Sequence, residues 1–523
     1  MKHLLLTIVC LIAWTTLPAQ DMRQDTYCNP LNIDYTYMIY NSDRDISYRS
    51  GADPAVVEFR GEYYMFVTRS HGYWRSRDLL NWEFVRPGKN WYPQGCNAPA
   101  AHNYKDSVLY VAGDPSGSMS ILYTDDPASG DWEATPAILH NLQDPDLFID
   151  DDGKAYIFYG TGQLRELKPD LSDVMPGGVD MKIFERDKEE NALLEGSRVI
   201  KHDGKYYLLM ISWPRGGKRR QVCYRADKIT GPYEKKVILE DAFAGFPYVA
   251  QGTIVDDGKG NWYGVIFQDR NGVGRVLTVM PCRWVDGWPM LGDENGHVPA
   301  TMSKPVQGYS SEGLVVSDDF SGEKLKLNWQ WNHNPMNECW SLNARKGYLR
   351  LTTGRVVDNL FVAPNTLTQR MEGPKCSGVV CMDLSGMKDG DVAGLSAFNG
   401  DAGILAVTCQ GSQKYLTMKT ESVKLDEKNK SVTGIDRNEI QKVELTSDVI
   451  YLRLDGDFRL NKDIASFYYS YDNKDWKKIG TDFKMIFDYR RFFMGTKFAL
   501  FNYATKSLGG FVDIDFFEYQ HIK

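Results

Sequence analysis

Short apolar strands separated by polar turns dominate the chain, and helical periodicity is scarce. A turn rich in aspartate and glycine, followed by an aromatic and apolar strand, recurs five times. The copies are FRGEYYMFVT from Phe59, YKDSVLYVAG from Tyr104, DDGKAYIFYG from Asp151, HDGKYYLLMI from His202 and GKGNWYGVIF from Gly258, with starts 45 to 56 residues apart. Such a period predicts a five-bladed β-propeller over residues 28–300. A β-sandwich with chance similarity between hairpins is the alternative.

The pattern changes after residues 301–315, which are predicted to be a linker. Residues 316–523 contain alternating segments such as GYLRLTT, SGVVCMDL and VIYLRLDGD. Alternation at period two with regular turn signals predicts a β-sandwich. The expected fold class is therefore all-β, with a propeller followed by a sandwich.

Composition and charge narrow the classes of partner. The net charge is −8, which argues against a nucleic acid partner because there is no basic excess to release counterions. Residues 1–19 read as a cleavable signal peptide, and their apolar run is shorter than the roughly 20 residues of a membrane span. The protein is therefore expected to be exported, periplasmic or secreted, with no membrane span. The scattered cysteines show no zinc-binding spacing.

Three acidic residues stand just ahead of three of the repeated hairpins. Asp53 precedes Gly61 by eight residues, Asp144 precedes Gly153 by nine, and Glu195 precedes Gly204 by nine. Similar offsets predict similar places on three inner strands, and hence three carboxylates around one axis. Glycoside hydrolysis needs such a set, because one carboxyl must be protonated and another ionised. For any one of these residues taken alone, a turn cap is the simpler interpretation.

Five aspartates lie between Gln143 and Gly153. Aligned on Gly153, the first and twelfth positions of a calcium loop fall on Phe148 and Tyr159, which cannot serve as acidic ligands. The segment is therefore interpreted as Asp144 beside a generic hairpin turn of Asp150, Asp151, Asp152 and Gly153.

These motifs resemble glycoside hydrolase family 43, the five-bladed arabinofuranosidases and β-xylosidases. The carriers are the ADP segment at Asp53, the DPDLF segment at Asp144 and the EG pair at Glu195, in the same chain order. The segments APNTLTQRMEGPKCSG and MKDGDVAGLSAF are similar to the concanavalin-like, jelly-roll sandwich attached to those enzymes. The resemblance covers nearly the whole chain after the signal peptide.

The resemblance implies a role for each residue. Asp53 would be the general base, Asp144 the pKa modulator and Glu195 the general acid, while Arg275 would bind a sugar hydroxyl. The family inverts, so base and acid should stand about 6.5–9.5 Å apart. Two motifs depart from the family pattern: Ser197 replaces a proline after Glu-Gly, and Ala250 replaces a histidine that helps to hold an axial metal ion.

No cofactor is expected to be required, and two calcium sites are left open. The axial one is in doubt because of Ala250, and another could form in the sandwich from Asp319 and Asp515. Tyr73 and Trp74 could wall the pocket or pack within a blade, and His71 could contact substrate or support the structure. The basic stretch Arg215 to Arg220 could favour an acidic glycan or be a solvated loop.

The expected function is an exo-acting inverting glycosidase that removes terminal α-L-arabinofuranose from side chains of plant cell-wall polysaccharides. A β-xylosidase or galactan-acting enzyme of the same family is the alternative. A retaining five-bladed fructosidase is disfavoured because its Asn-Asp-Pro and Glu-Cys motifs are missing. A non-catalytic glycan-binding propeller is the alternative from another class.

Overall fold

The fold is taken from a computed structural model. It describes residues 25–29, 31, 37–38, 47–48, 51–70, 72–92, 95–115, 117–136, 139–140, 142–247, 249–309, 313, 315–326, 328–332, 335–426, 432–488 and 493–522. The predicted signal peptide lies outside these residues. Within them, no helix is long and apolar enough to cross a membrane.

Five antiparallel sheets of four strands each form the propeller, which confirms the predicted five blades. Blade 1 consists of strands Ala55–Phe59, Glu62–Phe66, Tyr73–Ser76 and Glu83–Val85, and blade 2 of strands Asn97–Tyr104, Val108–Asp114, Leu122–Thr124 and Glu133–Ala134. Blade 3 consists of strands Asp146–Ile149, Ala155–Tyr159, Gln163–Leu167 and Asp180–Lys182, and blade 4 of strands Glu190–His202, Lys205–Pro214, Arg220–Ala226 and Glu234–Leu239. Blade 5 consists of strands Val249–Asp256, Trp262–Asp269, Arg275–Val285 and Trp288–Leu291. Each blade is therefore one continuous stretch of chain.

The first strand of each blade is the inner one, and the repeated motif is the hairpin that joins it to the second strand. In blade 3, Gly153 N–H donates to the Asp150 carbonyl at 2.9 Å, and the positive φ of +83° at Gly153 closes the turn. Inner strands contact their neighbours around the ring, including the first blade against the last. The five inner strands therefore surround one axis.

A short strand, Thr26–Cys28, pairs with Thr301–Ser303 beside the last blade. The Asn29 amide donates to the carbonyls of Val279 and Pro299 at 2.9 and 2.7 Å. Part of the predicted linker 301–315 is thus a strand that ties both ends of the propeller to blade 5.

The C-terminal domain is a sandwich of two antiparallel sheets, as the alternation predicts. One sheet runs, in spatial order, Gln330–Trp331, Leu367–Arg370, Lys497–Ala504, Asp391–Phe398, Asp401–Gln410, Gln413–Leu425 and Val432–Glu444. The other runs Trp340–Ser341, Leu349–Thr352, Phe511–His521, Lys375–Asp383, Val449–Asp457, Ile464–Ser470 and Lys477–Lys478, with Phe483–Lys484 also paired to Ile464–Ser470. Minor pairs are Tyr37–Met38 with Ser47–Tyr48 and Ser118–Met119 with Leu139–His140; Asn271–Val273 and Asn337–Cys339 are 3-10 turns.

The first of these sheets lies between the sandwich core and the propeller. In strand Lys497–Ala504, Phe498 and Leu500 face the sandwich core, while Phe501 and Tyr503 join a cluster that contains propeller residues. Both faces are buried, which explains why this strand is apolar at nearly every position. The apolar burial joins the two domains through a shared hydrophobic layer.

Candidate active site

A residue with left-handed backbone conformation lies within or just before each of the five inner strands, at the same end of the propeller. These residues are Asp53 (φ 55°), Ala98 (φ 38°), Asp144 (φ 49°), Gly196 (φ 80°) and Gln251 (φ 70°). In blades 2, 4 and 5 the strand register also shifts at this point. Asp53 and Asp144 each precede a proline, which restricts the backbone further. Strain of this kind, shared by five strands, is typical of a functional site.

Glu195 stands one residue before the left-handed position of its strand. That position is Gly196, where an added Cβ would come within 2.6 Å of the Gln251 side chain. A glycine is therefore required there by both φ and space. The matched offset seen in the sequence is thus approximate: Asp53 and Asp144 occupy corresponding places, and Glu195 reaches the cluster from the residue before.

Both carboxylate oxygens of Asp53 accept hydrogen bonds. The Thr68 hydroxyl donates to Oδ2 at 2.5 Å, and Arg275 Nη1 donates to Oδ1 at 3.3 Å. An anionic carboxylate uses its oxygens in this way, as acceptors only. Such a group suits the activation of a water molecule as a general base.

Arg275 is held by charge and by two aromatic rings. Its Nε donates to Asp269 Oδ1 at 2.7 Å and its Nη2 to Asp269 Oδ2 at 3.3 Å. Its guanidinium carbon lies 3.7 Å from the ring centre of Phe267 and 3.6 Å from that of Phe493. Phe493 belongs to the sandwich, so both domains fix the arginine beside Asp53. Together with the hydrogen bond to Asp53, these bonds use three of the five guanidinium N–H groups of Arg275.

The other two carboxyls have raised pKa values. Burial raises the pKa of Asp144 well above its usual range, and the nearby charges of Glu195 and Asp53 add to the effect. Burial, followed by the charge of Asp53, raises the pKa of Glu195 to about 7. Like-charge repulsion thus couples the three carboxyls that the sequence singled out, and Glu195 can hold a proton near neutral pH.

The structure adds residues that the sequence interpretation missed. Gln143 Nε2 donates to Glu195 Oε2, and Arg219 Nη1 donates to Asp269 Oδ2 at 2.7 Å. Arg198, which is 2% exposed, donates to the Asp53 carbonyl at 3.3 Å. No local motif marks these residues, because their roles depend on contacts between blades.

Asp146, the remaining aspartate between Gln143 and Gly153, has a structural role. Its Oδ2 accepts a hydrogen bond from the Val199 backbone N–H at 2.6 Å, which joins blade 3 to blade 4. Burial raises its pKa to about 7. The side chain therefore braces the strand that carries Arg198.

Of the two interpretations of Tyr73 and Trp74, the structure supports packing within the propeller and not lining of the site. Tyr73 is fully buried, donates to the Pro127 carbonyl at 2.6 Å and accepts a hydrogen bond from Trp132 Nε1 at 3.1 Å. Trp74 is 2% exposed and packs edge-on against Phe84. Both rings fill the interior of blade 1. His71 lies outside the described residues.

The basic stretch is divided between paired and exposed side chains. Arg220 bonds Glu189 at 2.8 Å and Arg219 bonds Asp269, while Arg215 and Lys218 are exposed. Only the last two thus face solvent with their charge. Binding of an acidic glycan by this loop stays a prediction.

Asp319 and Asp515, the two acids proposed for a sandwich calcium site, belong to no group of three or more candidate ligands among the described residues. Asp319 Oδ1 accepts hydrogen bonds from the Ser321 N–H and hydroxyl, as a turn cap does. Among the described residues, the acidic group close enough for a metal is instead Asp187, Glu189 and Glu190. Lys235 and Arg220 already pair with that group. The sandwich calcium site therefore stays a prediction that this geometry does not strengthen.

Three coupled carboxyls, a clamped arginine and a five-bladed propeller define a glycoside hydrolase. Comparisons with known proteins give the same class. Residues 44–289 match the model described as glycosyl hydrolases family 43, and residues 317–520 match the beta xylosidase C-terminal concanavalin A-like domain. The chain belongs to glycoside hydrolase family 43, and its second domain is of the concanavalin-like type.

Individual relatives cover most of the chain. A beta-xylosidase from Formosa agariphila is 27% identical over 96% of this chain and 91% of its own length. A non-reducing end alpha-L-arabinofuranosidase from Bacteroides ovatus is 28% identical over 57% of this chain and 62% of its own. The solved structure of a bifunctional GH43-CE protein from Bacteroides eggerthii is 38% identical, with a TM-score of 0.68 over 94% of this chain; this chain spans 64% of that protein.

Proposed function

We propose that this chain is an exo-acting, inverting glycosidase that releases terminal α-L-arabinofuranose from side chains of plant cell-wall polysaccharides. The observation that carries the proposal is the coupling of Asp53, Asp144 and Glu195, with the pKa of Glu195 raised to about 7. A carboxyl that is half protonated near neutral pH can protonate a leaving glycosidic oxygen. Asp53, with two donors on its oxygens, is the complementary base.

In the proposed reaction, Asp53 takes a proton from a water molecule as that water attacks the anomeric carbon. The C–O bond to the leaving sugar breaks, and Glu195 gives its proton to the departing oxygen. One turnover leaves Asp53 protonated and Glu195 ionised, and a proton passing between them through solvent restores the starting state. The charge of Asp53 favours the protonated form of Glu195 by like-charge repulsion, while Asp144, whose own pKa is raised by burial, tunes and orients the acid. Arg275 offers its remaining N–H donors to a sugar hydroxyl.

A β-xylosidase is the second candidate. The relative from Formosa agariphila carries that name, and the one from Bacteroides ovatus is named for arabinofuranose at a non-reducing end. Both names describe removal of a single sugar, which supports an exo-acting site here. The names divide between the two sugars, so they do not select one.

A substrate screen separates these candidates. Initial rates are measured with aryl α-L-arabinofuranoside, aryl β-xyloside and aryl galactosides at equal concentrations. The proposal predicts the highest kcat/KM on the arabinofuranoside. A preference for the xyloside by tenfold or more would assign the second candidate instead. No turnover of any of them, with intact folding, would favour the glycan-binding alternative.

We also propose that the protein is exported after removal of residues 1–19. The support is the basic start, short apolar run and small residue before Gln20 in the sequence. N-terminal sequencing of protein from the cell envelope or medium should begin at Gln20. Recovery of the protein with Met1 intact, in the cytoplasm alone, would contradict it.

A further inference from the structure

The guanidinium of Arg198 lies where three blades converge. Nη1 donates to the Ser197 carbonyl at 2.6 Å, and Nη2 donates to the carbonyls of Pro99 at 2.7 Å and Asp53 at 3.3 Å. These carbonyls belong to blades 4, 2 and 1. Arg198 also lines a cavity of about 340 Å³ to which the inner strands of all five blades contribute. Its charged end is therefore at the propeller axis.

This cation lies beneath the catalytic carboxyls. Its charge lowers the pKa values of Asp144 and Asp146 and so opposes the effect of burial on both. It also holds the carbonyl of Asp53, a residue in the left-handed conformation that is unfavourable before a proline. A buried arginine is costly unless its charge and donors find partners. Here Nη1 and Nη2 bond backbone carbonyls of the catalytic layer, and the nearby acids Asp144 and Asp146 offset the charge.

A metal ion does not fit this axis. A hard cation needs several oxygen ligands, but the carbonyl oxygens of Asp53, Pro99 and Ser197 accept hydrogen bonds from Arg198. A second positive charge about 4 Å from the guanidinium would be repelled by about 4 kcal/mol per unit charge at a dielectric constant near 20.

Among the described residues that line the cavity, no histidine is available to bind an axial metal ion. The family's metal-holding histidine is replaced by Ala250, which is fully buried. His102 lines the cavity, but its Nε2 accepts a hydrogen bond from the Ile149 N–H at 3.3 Å. Burial lowers its pKa to about 4, so it is neutral at working pH. The charge at this place therefore comes from the arginine.

We propose that Arg198 is a built-in axial cation, a positioning residue that ties the inner strands of blades 1, 2 and 4 together and fixes the base Asp53. It takes the place of the metal ion that the family resemblance implies. The expected effect of Arg198 on kcat rests on the proposed function, but its expected effects on metal content and on the unfolding midpoint do not.

The first test uses the wild-type protein and needs no substrate. Metal content is measured by plasma mass spectrometry after dialysis, and thermal unfolding is followed with EDTA and with added Ca²⁺. The proposal predicts less than 0.1 bound divalent ion per chain at the axis and the same unfolding midpoint, within 1 °C, in both conditions. A stoichiometric ion, whose removal by EDTA lowers the unfolding midpoint, would overturn it.

The second test replaces the cation. Arg198→Ala should lower kcat at least a hundredfold with a smaller effect on KM, because Asp53 loses its support. Millimolar guanidinium should restore activity at least fivefold in this variant, whereas urea, which has the same shape without the charge, should not. Arg225→Ala is the matched control, since Arg225 also donates to two carbonyls, those of Asp286 and Gly287 at 3.0 Å, but at an outer turn. The control should keep wild-type kcat and show no response to guanidinium.

Arg198→Lys covers the case in which the alanine variant does not fold. It keeps the charge but loses the planar arrangement of donors, so kcat should fall between those of the wild type and the alanine variant, and EDTA should still have no effect. Arg198→Ala with wild-type kcat, or with equal rescue by urea and guanidinium, would contradict the proposal. If no glycoside is hydrolysed by the wild type, the proposed function fails, while metal content and unfolding still decide the role of Arg198.

Discussion

The ring of Phe493, from the sandwich, lies 3.6 Å from the guanidinium carbon of Arg275, from the propeller. The backbone carbonyl of Phe493 also accepts a hydrogen bond from the backbone N–H of Arg275 at 3.0 Å. Nearby, an added Cβ on Gly495 would come within 1.7 Å of the Val273 carbonyl, so the two domains are in close backbone contact. The second domain thus completes the site rather than merely stabilising the first.

Removal of this ring should weaken the site without unfolding it. A cation–π contact contributes about 0.5–2 kcal/mol, so Phe493→Ala should lower kcat/KM by roughly 3- to 30-fold. Phe493→Tyr keeps the stacked face and should stay within twofold of wild type. Steady-state kinetics on the best aryl glycoside measures both. Equal kcat/KM for the alanine variant and wild type would remove Phe493 from the site.

Asp269 should orient Arg275 by accepting from it and from Arg219. Asp269→Asn keeps the shape but removes the charge that both arginines share. Loss of charge-assisted hydrogen bonds of about 1.5–3 kcal/mol predicts a fall in kcat/KM of roughly 10- to 100-fold. Asp180→Asn, which removes an exposed pair with Arg165, is the control and should change nothing. Equal effects of the two substitutions would show that Asp269 has no special role.

Glu195→Gln should stabilise the fold at neutral pH although it removes the acid. The pKa of Glu195 is raised to about 7 from an ordinary value of 4.5, so the folded wild type binds an extra proton between these values. Its stability therefore falls as pH rises through this window, by up to roughly 3 kcal/mol. The Glu195→Gln variant has no carboxyl at this position, so its free energy of unfolding should not fall in this way.

Urea unfolding at pH 7.5 and pH 4.5 measures this effect. The variant should be more stable by about 1–3 kcal/mol at pH 7.5, and the gain should vanish at pH 4.5. Glu133→Gln, at an exposed ion pair with Lys89, is the control and should behave like wild type at both values. A Glu195 variant that is less stable at pH 7.5 would contradict the raised pKa.

The same pKa should appear in the rate. Activity requires protonated Glu195, so kcat/KM should decline as pH rises past about 7. With an activated aryl substrate, whose leaving group needs no proton, Glu195→Gln should retain measurable turnover and lose this alkaline limb. If the limb persists in the variant, it belongs to another group.

The sequence was sufficient for the architecture and for the three acids. The repeated hairpin marks each blade because its turn chemistry is local, and Asp53 and Asp144 stand at a fixed place relative to that turn. Arg198, Asp269 and Phe493 could not be found in this way. Each has at least one partner in another blade or in the other domain, and no spacing along the chain encodes such a contact.

The burial of Tyr73 and Trp74 has a physical cause. A blade strand is covered by neighbouring blades on both faces, so aromatic residues near the motif are needed for packing between sheets. Proximity in sequence to Asp53 therefore does not place a ring in the pocket.

In an inverting mechanism, Asp53 and Glu195 act on opposite sides of the glycosidic bond with water between them. Proton NMR of the first product formed from the preferred aryl glycoside distinguishes inversion from retention. The anomeric signal of the inverted sugar should appear first, and that of the other anomer should grow only by mutarotation. First appearance of the retained anomer would contradict it.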